Sequence, residues 1–461
     1  MRRKIFSRAV SLSLLLFAFF AMSCASNKER PIGEFFYDEN VGLFREGTLS
    51  NGISVSLKHI PFEKNIELRV LFEGGAASCP KGKSGLDQLT LDLIGSSNSE
   101  IKDRLARGQY FSQSGCLSDF SYIGFSAAAK DFWDSLAIFS SSLIEERYSH
   151  DDYLQKETAA ATAALSRSEN PRHELLSAVQ ASLYSSSPYY DGIYYKPQSR
   201  VSEYDIDKNL SSLLDAKRMK IIAAGNFSGA PKSDKSVRRS KKDELQIFEK
   251  TSGLLMQELE SLFGSIKGGQ WTPPYVPPLD IKKGGRKEER SEFSGGDYYA
   301  ALCFECPSRG SDDYEAFALA TLALDSVLSR ELVEKQKLCS YAGTAVLNSR
   351  RSAVLIIASG KKTSRDVFES LQSALKEFPQ EYDLKGPLDF YKNIYISRVE
   401  GASHNAGATL DQMASGVVYQ NGASSFLGRP KKIRGLSVQD VRAAFEKYFL
   451  SENSLFVYLS N

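Results

Sequence analysis

Apolar and polar positions alternate from Ile66 to Phe72, and a second β-rich run spans Phe120 to Ala129. Patterning of this kind predicts strands. The period then changes. From Asp131 to Glu146 the apolar residues Phe132, Leu136, Phe139 and Leu143 recur at helical spacing, which predicts an amphipathic helix. Ala353 to Leu375 repeats the same events. Val354-Leu355-Ile356-Ile357-Ala358 reads as strand and Gly360-Lys361-Lys362-Thr363 as turn, and Val367, Leu371 and Leu375 follow at i, i+4 and i+8. A strand and a helix precede each unit; in the second they are Tyr298 to Cys306 and Tyr314 to Leu328. Ser454 to Ser460 is the last predicted strand. This faint repeat predicts two related α+β domains.

A long helical stretch, Asp243 to Ile266, closes the first domain, and Lys267-Gly268-Gly269 stops it. Trp271-Thr272-Pro273-Pro274-Tyr275-Val276-Pro277-Pro278 then predicts a stiff, extended linker. Residues 25–44 are polar and without period, as a tether would be. The predicted layout is a signal segment over 1–23, a tether over 24–44, an N-terminal domain over 45–267, a linker over 268–290 and a C-terminal domain over 291–461. A length of 461 residues suits two to three domains, and 42% hydrophobic with 25% charged residues is ordinary for a globular chain.

The N-terminus has a basic start, Arg2, Arg3, Lys4 and Arg8, and an apolar core from Val10 to Met22 that is too short for a stable membrane span. It ends Ala21-Met22-Ser23-Cys24, which resembles a bacterial lipoprotein cleavage box with Ala21 in the usual Leu position. Cys24 is therefore the expected lipidation site, and the expected location is the cell envelope, anchored on the periplasmic side or in the outer membrane. The rival reading is plain secretory cleavage near Ser23 to Ser26. Removing the four basic residues of 1–23 takes the net charge from +2 to about −2. The basic stretches Lys232 to Lys242 and Lys282 to Arg290 carry acidic neighbours and read as solvated loops; nothing points to nucleic acid.

Beyond Cys24 five cysteines remain, Cys79, Cys116, Cys303, Cys306 and Cys339, an odd number that leaves at least one free thiol or an intermolecular bond. Cys303 and Cys306 lie in a predicted strand, where i and i+3 point to opposite faces and disfavour a shared metal. Of His59, His150, His173 and His404, no two stand at i, i+4; His150 reads as a polar residue at the start of a helix.

Residues 80–94 read Pro80-Lys81-Gly82-Lys83-Ser84-Gly85-Leu86-Asp87-Gln88-Leu89-Thr90-Leu91-Asp92-Leu93-Ile94. This predicts a helix with Leu89 and Leu93 facing inward, and with Gln88 and Asp92 one turn apart on another face. Two ligands so spaced can reach one ion, and a Glu beside the second can take a proton from metal-bound water. Gln88 offers only an amide oxygen, Leu91 accepts no proton, and one carboxylate, Asp92, makes no site.

The frame of this segment resembles the active-site helix of the pitrilysin/insulinase zinc metallopeptidases, with its Gly-Leu-x-His-x-x-Glu-His run. The chemical positions fall on Gln88, Leu91 and Asp92. The resemblance continues in order along roughly residues 45–461. Leu49-Ser50-Asn51-Gly52-Ile53-Ser54-Val55 is similar to the family's opening turn and strand. The Ala-rich helix after Ser149 is similar to the one carrying a Glu-x6-Glu pair; Glu157 matches the first Glu, and the third zinc ligand falls on Ala164. Ser187-Pro188-Tyr189 resembles a His-Pro-Tyr segment, and Ile221 to Phe227 a closing strand and Gly-Asp turn. Ser329 to Tyr341 resembles a Leu-Arg-Glu-x-x-Gly-Leu-Ala-Tyr segment whose Arg and Tyr face substrate. Here Val333 stands for the Arg, Lys337 for the Gly, and Tyr341 lies one place out of register.

The resemblance implies an α+β fold of two homologous domains, each a mainly antiparallel sheet packed with helices, arranged as half of a clamshell. It implies zinc, but the ligand losses predict that zinc is absent and that the chain is not an enzyme. Tyr341 and Glu157 are the candidates for lining a substrate chamber. The expected role is a membrane-tethered subunit forming a homodimer, or a heterodimer with a related metallopeptidase chain, and completing or stabilising a peptide-holding chamber. The alternatives are an active zinc metallopeptidase with rearranged ligands drawn from Asp92, Glu157 and His150, and a stand-alone envelope scaffold or peptide-binding lipoprotein. The Gln88–Asp92 face is expected to line a cavity, so that restoring the full motif, Leu91→Glu included, leaves the fold intact.

Overall fold

The two period-two runs of the first domain become central strands of one sheet, and those of the second domain become central strands of another. The computed structural model describes residues 34–38, 42–145, 148–185, 189, 193–228, 240–290, 297–361, 363–381, 387–420 and 422–460. Within these, the first sheet comprises β1 (Glu34–Asp38), β2 (Gly42–Thr48), β3 (Ser54–His59), β4 (Asn65–Glu73), β5 (Phe111–Cys116), β6 (Phe120–Ala128) and β7 (Met219–Gly225), in the order β1-β2-β3-β7-β4-β6-β5. The second comprises β8 (Lys282–Lys283), β9 (Gly285–Arg290), β10 (Tyr298–Glu305), β11 (Tyr341–Leu347), β12 (Ala353–Gly360) and β13 (Asn453–Ser460). Its order is β11-β12-β10-β13-β8, with β9 also on β13. Each sheet is antiparallel but for one pair, β3 with β7 and β9 with β13. Strand for strand, β3-β7-β4-β6-β5 has the order and directions of β9-β13-β10-β12-β11, which is the duplication that the faint repeat predicts.

Helices α1 (Leu86–Ser97), α2 (Ser99–Ala106), α3 (Phe132–Ile144), α4 (His150–Ser168), α5 (Pro171–Leu183), α6 (Glu203–Leu213) and α7 (Lys241–Phe263) belong to the first half. The second half carries α8 (Tyr314–Leu328), α9 (Ser364–Glu381), α10 (Leu388–Ala402), α11 (Ala406–Tyr419), α12 (Arg429–Gly435) and α13 (Val438–Phe449). Strand alternation divides each sheet between two cores. In β4, Ile66, Leu68, Val70 and Phe72 meet Leu136 and Phe139 of α3 and Leu255 and Leu259 of α7. Leu71 points the other way and packs with Leu410 and Met413 of α11. In β10, Ala300, Leu302 and Phe304 face α8, while Ala301 and Cys303 meet Leu175, Val179 and Leu183 of α5.

The halves therefore exchange helices. A helix of the second half, α11, covers the outer face of the first sheet, and a helix of the first half, α5, covers the outer face of the second. Each buried leucine in these layers contributes about 1.5–3 kcal/mol, and an ion pair of 2.5 Å from Arg69 on β4 to Asp411 on α11 adds a polar tie.

Three boundaries differ from expectation. Residues placed in the tether form β1 and the start of β2, and the linker's last residues, 282–290, are strands of the second sheet. Both sets form at sheet edges, where charged and polar side chains are tolerated and the period-two signal fades. The long helix ends at Phe263, capped by Gly264, three residues before the predicted stop. Residues 268–281 form no regular element, as expected of the Pro-rich stretch. The signal segment, Cys24, Lys235, Arg238 and Arg239 lie outside the described residues.

Asp119, fully buried in the turn between β5 and β6, ties the halves together. Its carboxylate accepts from the Tyr189 hydroxyl, from the Tyr419 hydroxyl at 3.0 Å and from the Arg350 backbone N–H at 2.8 Å. Burial, then the negative charge of Asp119, raises both tyrosine pKa values, so both hydroxyls stay protonated as donors. Asp119→Ala would leave two buried hydroxyls and an amide without their acceptor. Urea unfolding is expected to show a loss of about 3 kcal/mol or more. An unchanged midpoint would show that this joint contributes nothing.

Candidate functional site

The predicted motif helix is α1, and Gly85 sets its start. Gly85 has φ +75°, and a Cβ there would lie 2.3 Å from the Tyr195 backbone nitrogen, so both conformation and close approach require glycine. Leu86, Leu89 and Leu93 pack with Tyr195, Val201 and Ile206, which places Leu89 and Leu93 inward as predicted.

Gln88 and Asp92 share the expected face. The Gln88 side-chain amide donates to Asp92 Oδ1 at 2.7 Å and approaches Ser114 Oγ at 3.3 Å; Ser114 in turn donates to Asp92. Ser114 lies on β5. The two positions that would hold a metal are thus an amide and a carboxylate bonded to each other and to a neighbouring strand.

Leu91 departs from expectation. It is fully buried in the core under the first sheet, with Ile94, Ile123 and Phe125. Asp87, which the motif reading passed over, is also buried, and accepts from Ser121 Oγ and Asn209 Nδ2, each at 2.9 Å. Burial raises its pKa, against the opposing charge of Arg218 and these two hydrogen bonds. No period marks Asp87 or Ser114; only the fold brings their partners to them.

Glu157 lies on α4, which packs against α1. Tyr195 donates to Glu157 Oε1 at 2.5 Å. Ala164 is two turns further along α4 and lines a cleft of about 600 Å³ between α4, α5 and residues 194–198. His150 opens α4 behind a Ser149 capping box, as predicted, and its Nδ1 is 2.7 Å from Glu203 Oε1. Asp92, Glu157 and His150 are therefore each bonded to a different partner, and among the described residues no three His, Cys, Asp or Glu side chains cluster to hold a metal. A zinc ion does not fit this donor set. Gln88 and Asp92 already satisfy each other, and the third position is a methyl group.

Tyr341 opens β11, part-exposed, with the Arg172 guanidinium of α5 stacked over its ring at 5.0 Å. Tyr341 and Glu157 are thus placed by different partners, Arg172 and Tyr195. Lys337 has φ +49°, the left-handed conformation that suits the glycine the family carries there. Val333 packs on the second core. Of the Ser187-Pro188-Tyr189 segment only Tyr189 lies within the described residues. Cys303 on β10 and Cys306 just after its end lie in separate cores, and burial pushes both thiols up; all five described cysteines are free thiols.

No protein-family model matches the chain, and no curated protein matches it by sequence. Solved structures share its fold. A protease from Helicobacter pylori aligns with TM-score 0.75 at 19% identity, over 93% of this chain and 100% of that one. A peptidase M16 inactive domain from Pseudomonas fluorescens gives TM-score 0.72 at 15% identity, over 90% and 97%. A chain of complex III2 from Candida albicans gives 0.68 at 14%, over 90% and 95%. The chain has the fold of the M16, pitrilysin-like peptidases, α+β with two mainly antiparallel sheets.

Because Leu91 is fully buried in the core, Leu91→Glu is expected to cost several kcal/mol, since it buries an unpaired carboxyl. Gln88→His, Asp92→His and Ala164→Glu together avoid the core and create the i, i+4 pair with a third ligand. This triple variant is expected to fold and to bind one zinc per chain, read by metal analysis after dialysis. A folded variant without zinc would show that α1 and α4 do not present these positions to one ion.

Proposed function

We propose that this chain is a non-catalytic, pitrilysin-like lipoprotein that pairs with a related chain, or with itself, to form or stabilise a peptide-holding chamber. The observation that carries the reading is the closed set of hydrogen bonds among Gln88, Asp92 and Ser114, where the family's ligand pair would stand, together with Ala164 at the third position. Peptide holding draws support from β5. Among the described residues β5 pairs only with β6, so its outer side is an open strand edge beside α1, and an extended peptide can add to such an edge through its backbone. Catalytic silence and pairing draw support from the shared fold with an M16 domain described as inactive and with a chain of a multi-subunit complex.

The purified protein is expected to hold far less than one zinc per chain and to leave peptides uncut with or without a chelator. Stoichiometric zinc with chelator-sensitive cleavage, lost in Asp92→Ala, would overturn the reading in favour of a rearranged metallopeptidase. A pull-down from membranes that recovers neither a related chain nor a second copy would favour a stand-alone binding lipoprotein.

The anchor is proposed at Cys24, and it places the protein in the cell envelope. No helix among the described residues is long and apolar enough to cross a membrane, and an acylated Cys24 provides attachment by another route. Cys24→Ser is expected to move the protein from the detergent phase to the aqueous phase or to leave an uncleaved precursor. A mature wild-type N-terminal peptide with an unmodified Cys24, read by mass spectrometry, would remove the anchor.

A further inference from the structure

We infer that the cleft beside Ala164 recognises acidic peptide segments, with Arg167 as the carboxylate-binding group. The inference rests on the peptide-holding reading and names the ligand class for this part of the chamber. The cleft carries three permanent cations, Arg167, Lys196 and Lys287, and also His173, against the single carboxylate of Glu174. These residues come from both halves of the fold: Arg167 and His173 from α4 and α5, Lys287 from β9.

Arg167 is set up as a receptor. Its guanidinium lies over the Tyr194 ring at 4.7 Å, and His173 makes an edge-on contact with the same ring at 6.4 Å. A guanidinium held over a ring face can still use its N–H groups for a bidentate carboxylate. Among the described residues the Arg167 side chain has no carboxylate or carbonyl partner of its own. The cleft wall supplies what a peptide needs besides charge. Ala164, Leu165 and Ala178 give an apolar surface, and Gln180 and Gln198 give amides. The volume, about 600 Å³, suits a few residues of an extended chain. A polyphosphate would use the cations and leave the apolar wall without a role, so the peptide is the better match.

The test is fluorescence anisotropy on the purified full chain with three labelled peptides of equal length, alternating Ala with Glu, Gln or Lys. The Glu peptide is expected to bind about tenfold more tightly than the Gln peptide at low salt, with the difference shrinking toward 1 M salt as the charges are screened. Arg167 and Lys287 are half-buried at the cleft wall, and Arg167→Glu and Lys287→Glu are expected to fold, as checked by circular dichroism; together they should abolish the Glu preference while keeping the Gln peptide's affinity. Arg167→Lys keeps the charge but loses the fork and should retain only part of the preference. Equal affinity for the Glu and Gln peptides, or a preference that survives the double reversal, overturns the inference and leaves peptide holding standing. Tripolyphosphate binding as tightly as the Glu peptide overturns the assignment of ligand class. If no peptide binds, the peptide-holding reading fails and this inference fails with it.

Discussion

A buried carboxylate with three donors from three distant segments sets the geometry of this protein. Asp119 meets Tyr189 after α5, Arg350 between β11 and β12, and Tyr419 at the end of α11. A charge taken out of water is stable only when hydrogen bonds replace its hydration, so the three segments must converge where Asp119 sits. The same turn also holds the approach to the motif helix. Gly74 N–H donates to the Asp119 carbonyl at 2.7 Å, Ala76 to Leu117 at 2.9 Å and Ala77 to Ser118 at 2.9 Å. A Cβ on Gly75 would lie 2.4 Å from the Leu117 oxygen, so the two segments touch backbone to backbone. The seam between the halves and the start of α1 are thus one structure.

The exchange of α5 and α11 across that seam argues that this chain is one body rather than two halves swinging on a linker. Each sheet would expose an apolar face without the other half's helix, and such faces do not stay open to water. Residues 268–281 can then be irregular without loosening the molecule, because the helices and Asp119 hold the halves together.

Much of the fold was legible in the sequence where burial is two-sided. β4, β6, β10 and β12 have neighbours on both edges and cores on both faces, so they read as dense apolar runs, and α3, α8 and α9 pack on them with clear helical spacing. The edge elements β1, β5, β8 and β9 carry polar or charged residues such as Ser112, Gln113, Lys282 and Lys287, and periodicity reports burial rather than hydrogen bonding. In sequence those strands look like tether or linker, or carry no pattern. In the candidate site, the shared face of Gln88 and Asp92 followed from the i, i+4 rule alone. Ser114 and Tyr195, which occupy Asp92 and Glu157, come from 22 and 38 residues away and leave no local mark.

Most of the motif helix is committed to packing. Of its first nine residues, Leu86, Leu89 and Leu93 hold residues 195–206, Leu91 and Ile94 hold the core, and Asp87 and Thr90 bond to Asn209. Only Gln88 and Asp92 remain for a metal. A lone carboxylate on that face, half shielded from water beside β5, needs donors. Gln88 supplies them, because an amide NH2 can reach Asp92 and Ser114 at once. The pair therefore satisfies the same polar demand that a metal would meet, using side chains alone. Its stability is the argument against a residual metal site: a cation entering here would have to break the Gln88–Asp92 and Ser114–Asp92 bonds and would gain one carboxylate in return. The demands this helix meets are then those of packing, carried by Gly85 and the leucines beside β5.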